Sequence, residues 1–267
     1  MNRSLPRRAL LAVAVAAAAA ACSRAVRPDS AAPTASPTGG PTASPDAPPS
    51  TSSPTTTPAT PATPATPVGP AVEVGNGPRD RPQVALTFHA SGDPAIATRV
   101  LAALAVTGAH VTVFVVGTWL RDNPGMAATL TAAGHELANH TWSHPTLENL
   151  DEAGIRDELV RCRDGLAAVG VSPRYVRQSG AQHSTALIRR VAGELGYSTV
   201  VSYDVDSLDF TDPGAATVRS QVATASRGSI VSMHFGHQDT VTALPGVLGD
   251  LAARGLTPVT LTTLLRG

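Results

Sequence analysis

Two cysteines stand in 267 residues, and one of them, Cys22, lies in an N-terminal segment of export type. Cys162 is left without a partner, so a disulfide framework is excluded even for an exported chain. Aromatic residues make up only 3% of the chain, which leaves few flat platforms on which sugars or bases stack. Neither sign of charge is in excess: 20 basic and 20 acidic residues cancel, and no basic cluster marks the globular part. A nucleic-acid partner is therefore excluded. The apolar run 9–21 is thirteen residues long, short of the roughly 20 that a membrane-spanning helix needs.

What the chain has instead is a sharp division of composition. Arg3, Arg7 and Arg8 precede the apolar run, and Ala19-Ala-Ala-Cys22 follows it. Residues 1–22 are expected to be an export signal of lipoprotein type, with Cys22 becoming the lipidated first residue of the mature protein. An ordinary secretory peptide is the alternative, and Arg7-Arg8 also suits twin-arginine export. Residues 23–80 are expected to be a linker. From Pro28 to Pro70 nearly every residue is Pro, Thr, Ser, Ala or Gly, and Pro-Ala-Thr repeats between Pro58 and Pro67. Such a segment has no apolar face to offset its ordering entropy, and its extended contour approaches ~130 Å at about 3.1 Å per residue. The protein is expected outside the cytoplasmic membrane, held by a lipid on Cys22, or secreted if that cysteine is unmodified.

Residues 81–267 carry one globular domain. Short β-rich runs at 83–88, 110–116, 135–139, 174–176, 199–202, 229–233 and 258–260 alternate with amphipathic patterns at 94–106, 124–133, 151–169, 184–195, 213–226 and 241–253. Most of the helical patterns begin with Pro, Ser or Asp and are soon followed by Gly. Regular alternation predicts parallel strands covered by helices. A distorted or incomplete (β/α) barrel fits the length, and a doubly wound open sheet is the competing architecture. Cys162 falls on one helical stripe with Ile155, Leu159 and Leu166, so it is expected in the core.

In either architecture chemistry gathers beyond the carboxyl ends of the strands. The polar residues there are His89, Ser91 and Asp93; His140 and His144; Arg177 and Gln178; Asp204, Asp206 and Asp209; and His234 and His237. His140-Thr-Trp-Ser-His144 holds two imidazoles four residues apart, spaced to share one metal ion in a turn that Pro145 keeps from continuing as helix. Two histidines joined by carboxylates and an arginine point to metal-assisted hydrolysis. His110 and His135 flank strands and are expected to be structural. His183 is open between cleft and solvent, and His237 between site and surface. Trp142 suits either sugar stacking or support of the loop, and Asp204 and Asp206 suit local turns.

The runs Ala85-Leu-Thr-Phe88, Val113-Phe-Val-Val-Gly117, Gly134-His-Glu-Leu-Ala-Asn-His-Thr-Trp-Ser-His144, Arg177, Asp206-Ser-Leu-Asp-Phe210 and Gly228-Ser-Ile-Val-Ser-Met-His234 together resemble the polysaccharide deacetylases of carbohydrate esterase family four. The resemblance spans residues 83–265. It implies a distorted (β/α)7 barrel that removes N- or O-linked acetyl groups from carbohydrate such as peptidoglycan, chitin or xylan. It makes His140 and His144 ligands of a divalent metal, usually zinc, and His234 the general acid, with Arg177 and Asp209 tuning the base and the acid. The pattern departs from the family after the first strand. Thr-Phe-Asp-Asp-Gly-Pro, whose aspartates are the base and the third ligand, is replaced by Thr87-Phe-His-Ala-Ser-Gly-Asp-Pro94. Arg177 is followed by Gln-Ser-Gly where the family has Pro-Pro-Tyr-Gly, and Ser232 replaces a leucine of the acetyl pocket. Three readings follow: His89 is the base, with Asp93 or water completing the metal shell; His89 is itself the third ligand; or the domain binds glycan without cleaving it.

Overall fold

The computed structural model describes residues 69–266, so the expected export segment and most of the expected linker lie outside the described residues. In chain order the strands are β1 (Val72–Val74), β2 (Gln83–Ala90), β3 (Thr112–Val115), β4 (Glu136–Asn139), β5 (Tyr175–Val176), β6 (Thr199–Val201), β7 (Val205–Asp206), β8 (Ile230–His234) and β9 (Thr257–Pro258). The helices are α1 (Pro94–Thr107), α2 (Gly117–Asp122), α3 (Gly125–Ala132), α4 (Glu152–Ala168), α5 (Ala186–Glu194), α6 (Ala215–Val222), α7 (Gln238–Ala253) and α8 (Leu261–Leu265). Asp93 shows why the pattern folds as it reads. Its carboxylate accepts from the Ala95 amide 2.8 Å away at the start of α1, Pro94 follows at the first helical position, and Gly108 ends the helix at φ 65°.

The strands pair in the order β1-β6-β5-β4-β3-β2-β8-β7, every ladder parallel, and β9 joins β2. From β6 to β2 the order steps in one direction without the reversal that defines a doubly wound sheet. The architecture is the distorted (β/α)7 barrel, left open between β1 and β7. Four elements escape the sequence pattern. β1 falls inside the stretch read as linker, β7 has two residues, α2 follows β3 after a single residue, and α8 has five residues; each is too short to show a period.

β2 is the central strand, and both its faces are buried. Val84, Leu86, Phe88 and Ala90 face the helices in the main apolar cluster. Alternation sends Ala85, Thr87 and His89 into the barrel, where Ala85 packs with Phe114, Ala138, Val201 and Ile230. Leu261 and Leu264 of α8 close the barrel foot. That helix is held by Glu136, which accepts from the Thr262 amide at 3.1 Å, and by Thr112, whose hydroxyl accepts from the Leu261 amide at 2.8 Å. The histidines, Arg177 and Asp209 gather at the opposite end. Cys162 is buried with its thiol against the Val115 carbonyl, and burial pushes its pKa up to about 12, as the core reading of the sequence expects. Among the described residues no helix is long and apolar enough to cross a membrane.

Candidate active site

The loop after β4 carries two residues in the left-handed region, Thr141 at φ 67° and His144 at φ 60°. A β-branched residue there costs energy and persists only where its surroundings over-determine it. They do. Asn139 Oδ1 accepts from the Thr141 amide at 2.9 Å, while its Nδ2 donates to the Leu159 carbonyl and to Tyr197. Glu158, from the middle of α4, accepts from the Trp142 and Ser143 amides, each at 2.8 Å, and from the Ser143 hydroxyl at 2.6 Å. Trp142 lies on Gly117, where a Cβ would come within 2.3 Å of the ring, and beneath Arg161. This contact is support of the loop. Glu158→Ala strands two amides and a hydroxyl and is expected to cost about 2–3 kcal/mol. Thermal unfolding reads the loss, and faster hydrogen exchange at the Trp142 and Ser143 amides locates it.

At the barrel mouth His89 and His234 are register partners on β2 and β8. His89 Nδ1 lies 2.8 Å from His234 Nε2, and His89 Nε2 lies 3.0 Å from Arg177 Nη1. His234 Nδ1 donates to Asp209 Oδ1 at 2.7 Å, and the His234 amide donates to Oδ2 at 2.8 Å. Thr240, in the first turn of α7, gives Asp209 a third hydrogen bond at 2.6 Å. Burial pushes the Asp209 pKa up, but these bonds outweigh it and the carboxyl titrates below its usual value. Arg177 is fully buried, donating to the carbonyls of Val201 and Ser202 and to Thr87, with its guanidinium over Phe114. Burial pulls its pKa down to about 9, so it remains a cation at neutral pH.

His140 is buried, with Nδ1 donating to the Arg177 carbonyl at 3.0 Å and Nε2 without a protein partner. Its ring centroid is 4.8 Å from that of His144 and 4.2 Å from that of His89. Burial, followed by neighbouring charges, holds the pKa values of His89 and His140 well below the usual histidine value; burial lowers that of His144. A buried bare imidazole nitrogen whose partner nitrogen is fixed by a carbonyl is a metal-ligand arrangement. It fits a divalent ion at His140, with His144 beside it. The rest of the expected shell does not fit. His89 has both nitrogens in use, Asp93 caps α1, and the methyl of Ala90 sits in the helix-facing cluster. Among the described residues no group of three His, Cys, Asp or Glu side chains is placed to hold a metal ion.

The remaining candidates separate clearly. His110 and His135 face each other across 6.3 Å, where His135 Nδ1 accepts from the Val111 amide. His183 pairs with Glu73 on β1. Asp204 accepts from the Ile230 amide and Ser229, and Asp206 from the Leu208 amide, so both shape turns. His237 joins the mouth, its ring centroid 5.9 Å from that of His234. Sequence reasoning missed Thr240 and Glu158, which lie on helices and carry no local mark of their partners. It also passed over Phe210 as a site residue: half-exposed, with its ring centroid 5.4 Å from that of His234, it is an aromatic face at the mouth. A separate groove lies at the amino ends of β5 and β6, lined by Arg174, Tyr175, Leu195 and Tyr197. None of the residues just assembled at the mouth borders it.

The family profile of polysaccharide deacetylase matches residues 76–200. A peptidoglycan-N-acetylglucosamine deacetylase of Bacillus cereus is 30% identical over 71% of this chain and 91% of its own length. A chitin deacetylase of a Pestalotiopsis species is 34% identical over 68% of this chain, which spans 63% of that relative's length. Among solved structures, a mutant of a CE4-family pseudoenzyme, with restored enzymatic activity, superposes with a TM-score of 0.69 at 25% identity, covering 74% of this chain and 72% of the other. Its parent pseudoenzyme comes from Bacillus anthracis. The chain belongs to the polysaccharide deacetylase family.

Proposed function

We propose that the domain hydrolyses acetyl groups from carbohydrate, and the observation that carries this is the Asp209–His234 pair at the barrel mouth beside the bare nitrogen of His140. Asp209 fixes the proton of His234 on Nδ1 and leaves Nε2 for proton transfer. In that role Nε2 takes a proton from the attacking water as its oxygen bonds to the acyl carbon, then passes the proton to the leaving nitrogen or oxygen as the acyl bond breaks. The products are acetate and a free amine or hydroxyl. Phe210 offers the sugar an apolar face next to His234. A divalent ion such as zinc would have His140 and His144 as its protein ligands and would supply Lewis-acid polarisation.

The substrate class is acetylated sugar, N-linked as in peptidoglycan and chitin or O-linked as in xylan. The names of the relatives support the first. The domain works on the outer side of the membrane, tethered through Cys22 and the Pro-rich segment. A second reading, glycan binding without turnover, draws on the bond between His89 and His234, which occupies Nε2. Incubation with N-acetylated chito-oligosaccharides separates the two. Acetate appearing in step with free amine supports hydrolysis, whereas saturable binding with no acetate supports the second reading.

A further inference from the structure

The proton positions at the mouth follow from its two ends. A guanidinium only donates and a carboxylate only accepts. Arg177 Nη1 therefore donates to His89 Nε2 at 3.0 Å, which leaves that nitrogen bare and puts the ring's single proton on Nδ1. That proton points at His234 Nε2, 2.8 Å away, and His234 donates its own Nδ1–H to Asp209 at 2.7 Å. The line runs one way, Arg177 to His89 to His234 to Asp209, and no nitrogen in it is free.

The strand register makes this contact. His89 and His234 are neighbours across a parallel ladder, where adjacent strands lie about 4.8 Å apart. An imidazole reaches farther from its backbone than a carboxymethyl group does, so a histidine at position 89 spans the gap. We propose that His89 is a latch on His234: its Nδ1–H closes the Nε2 that the proposed hydrolysis uses, and the site works only when that ring is turned aside. The inference rests on the hydrolase reading for its consequence, while the hydrogen-bonded line itself stands on geometry. A latched His89 is also not a metal ligand, which leaves His140 and His144, among the described residues of the mouth, as the protein groups offered to an ion.

Two readouts keep these parts distinct. In the full chain labelled with nitrogen-15 histidine, long-range proton–nitrogen spectra are expected to show His89 and His234 both protonated on Nδ1 and bare on Nε2. Added zinc is expected to shift the resonances of His140 and His144 and leave those of His89 in place. A proton on His89 Nε2, or a zinc-induced shift there, overturns the latch. In the second readout, His89→Asp shortens the side chain and frees His234. Because positioned acid–base groups are worth roughly 10²–10⁴ in rate, acetate release from chito-oligosaccharide is expected to rise at least about tenfold. His89→Ala repeats the test without a carboxylate. Release that falls in both variants makes His89 a participant in the chemistry and overturns the latch. If no protein of the set releases acetate while the expected tautomers are present, the lock is upheld and the hydrolase reading is what fails.

Discussion

Asp209→Asn is expected to lower kcat by about 10²–10⁴ with little change in KM, because it reverses the proton order at His234. The carboxylate accepts from three donors: the His234 ring, the His234 amide and the Thr240 hydroxyl. A carboxamide matches the shape but turns one acceptor into a donor. If its NH2 faces His234 Nδ1, the ring proton moves to Nε2, head-on to the Nδ1–H of His89. Proton-order reversal separates this variant from one that is merely unfolded, since the amide and Thr240 bonds can persist. The same substitution alters acid stability. The folded carboxyl titrates below its ordinary value, so the folded state binds fewer protons than the unfolded one in the acid range. Its contribution is complete above the unfolded pKa, about 3.9, and is lost as pH falls through the lower folded value. Urea unfolding across pH 2–6 is therefore expected to show a shallower acid-side decline in Asp209→Asn than in the wild type.

The second large effect is on stability. Arg177→Met is expected to destabilise the domain by about 3 kcal/mol, since unpaired buried acceptors cost ~1–3 kcal/mol each. The lost guanidinium leaves the Val201 and Ser202 carbonyls and the Thr87 hydroxyl without their donor. Relief of charge burial, visible in the lowered arginine pKa of about 9, offsets part of this cost. The midpoint of thermal unfolding should fall by roughly 6–12 °C for a domain of this size. Arg177→Lys reaches one acceptor at a time and is expected to recover only part of the loss. An unchanged midpoint in Arg177→Met would remove the guanidinium as the centre of the barrel mouth.

Much of this arrangement was legible in the residue order. The β-α alternation predicted parallel strands covered by helices, the resemblance implied the barrel rather than the open sheet, and polar residues at successive strand ends placed His89, His140, Arg177, Asp209 and His234 together. The resemblance supplied their expected roles. Asp93 was offered, beside water, as completing the metal shell; in the structure its carboxylate caps α1. The side that Ala90 takes was not legible, because a one-dimensional motif does not say which face of a strand a residue takes. Strand alternation gives it to the helix side. The bond between His89 and His234 depends on pairing between strands 145 residues apart in the chain. The supports of the strained histidine loop were out of reach for the same reason, since Glu158 reaches it only through the packing of α4.

The most direct test counts acetate against free amine from an N-acetylated chito-oligosaccharide, with wild type and Asp209→Asn assayed side by side in the presence of zinc. The account predicts equal amounts of the two products from the wild type and at least about a hundredfold slower release from the variant. No release from the wild type, or equal rates from both proteins, would contradict it.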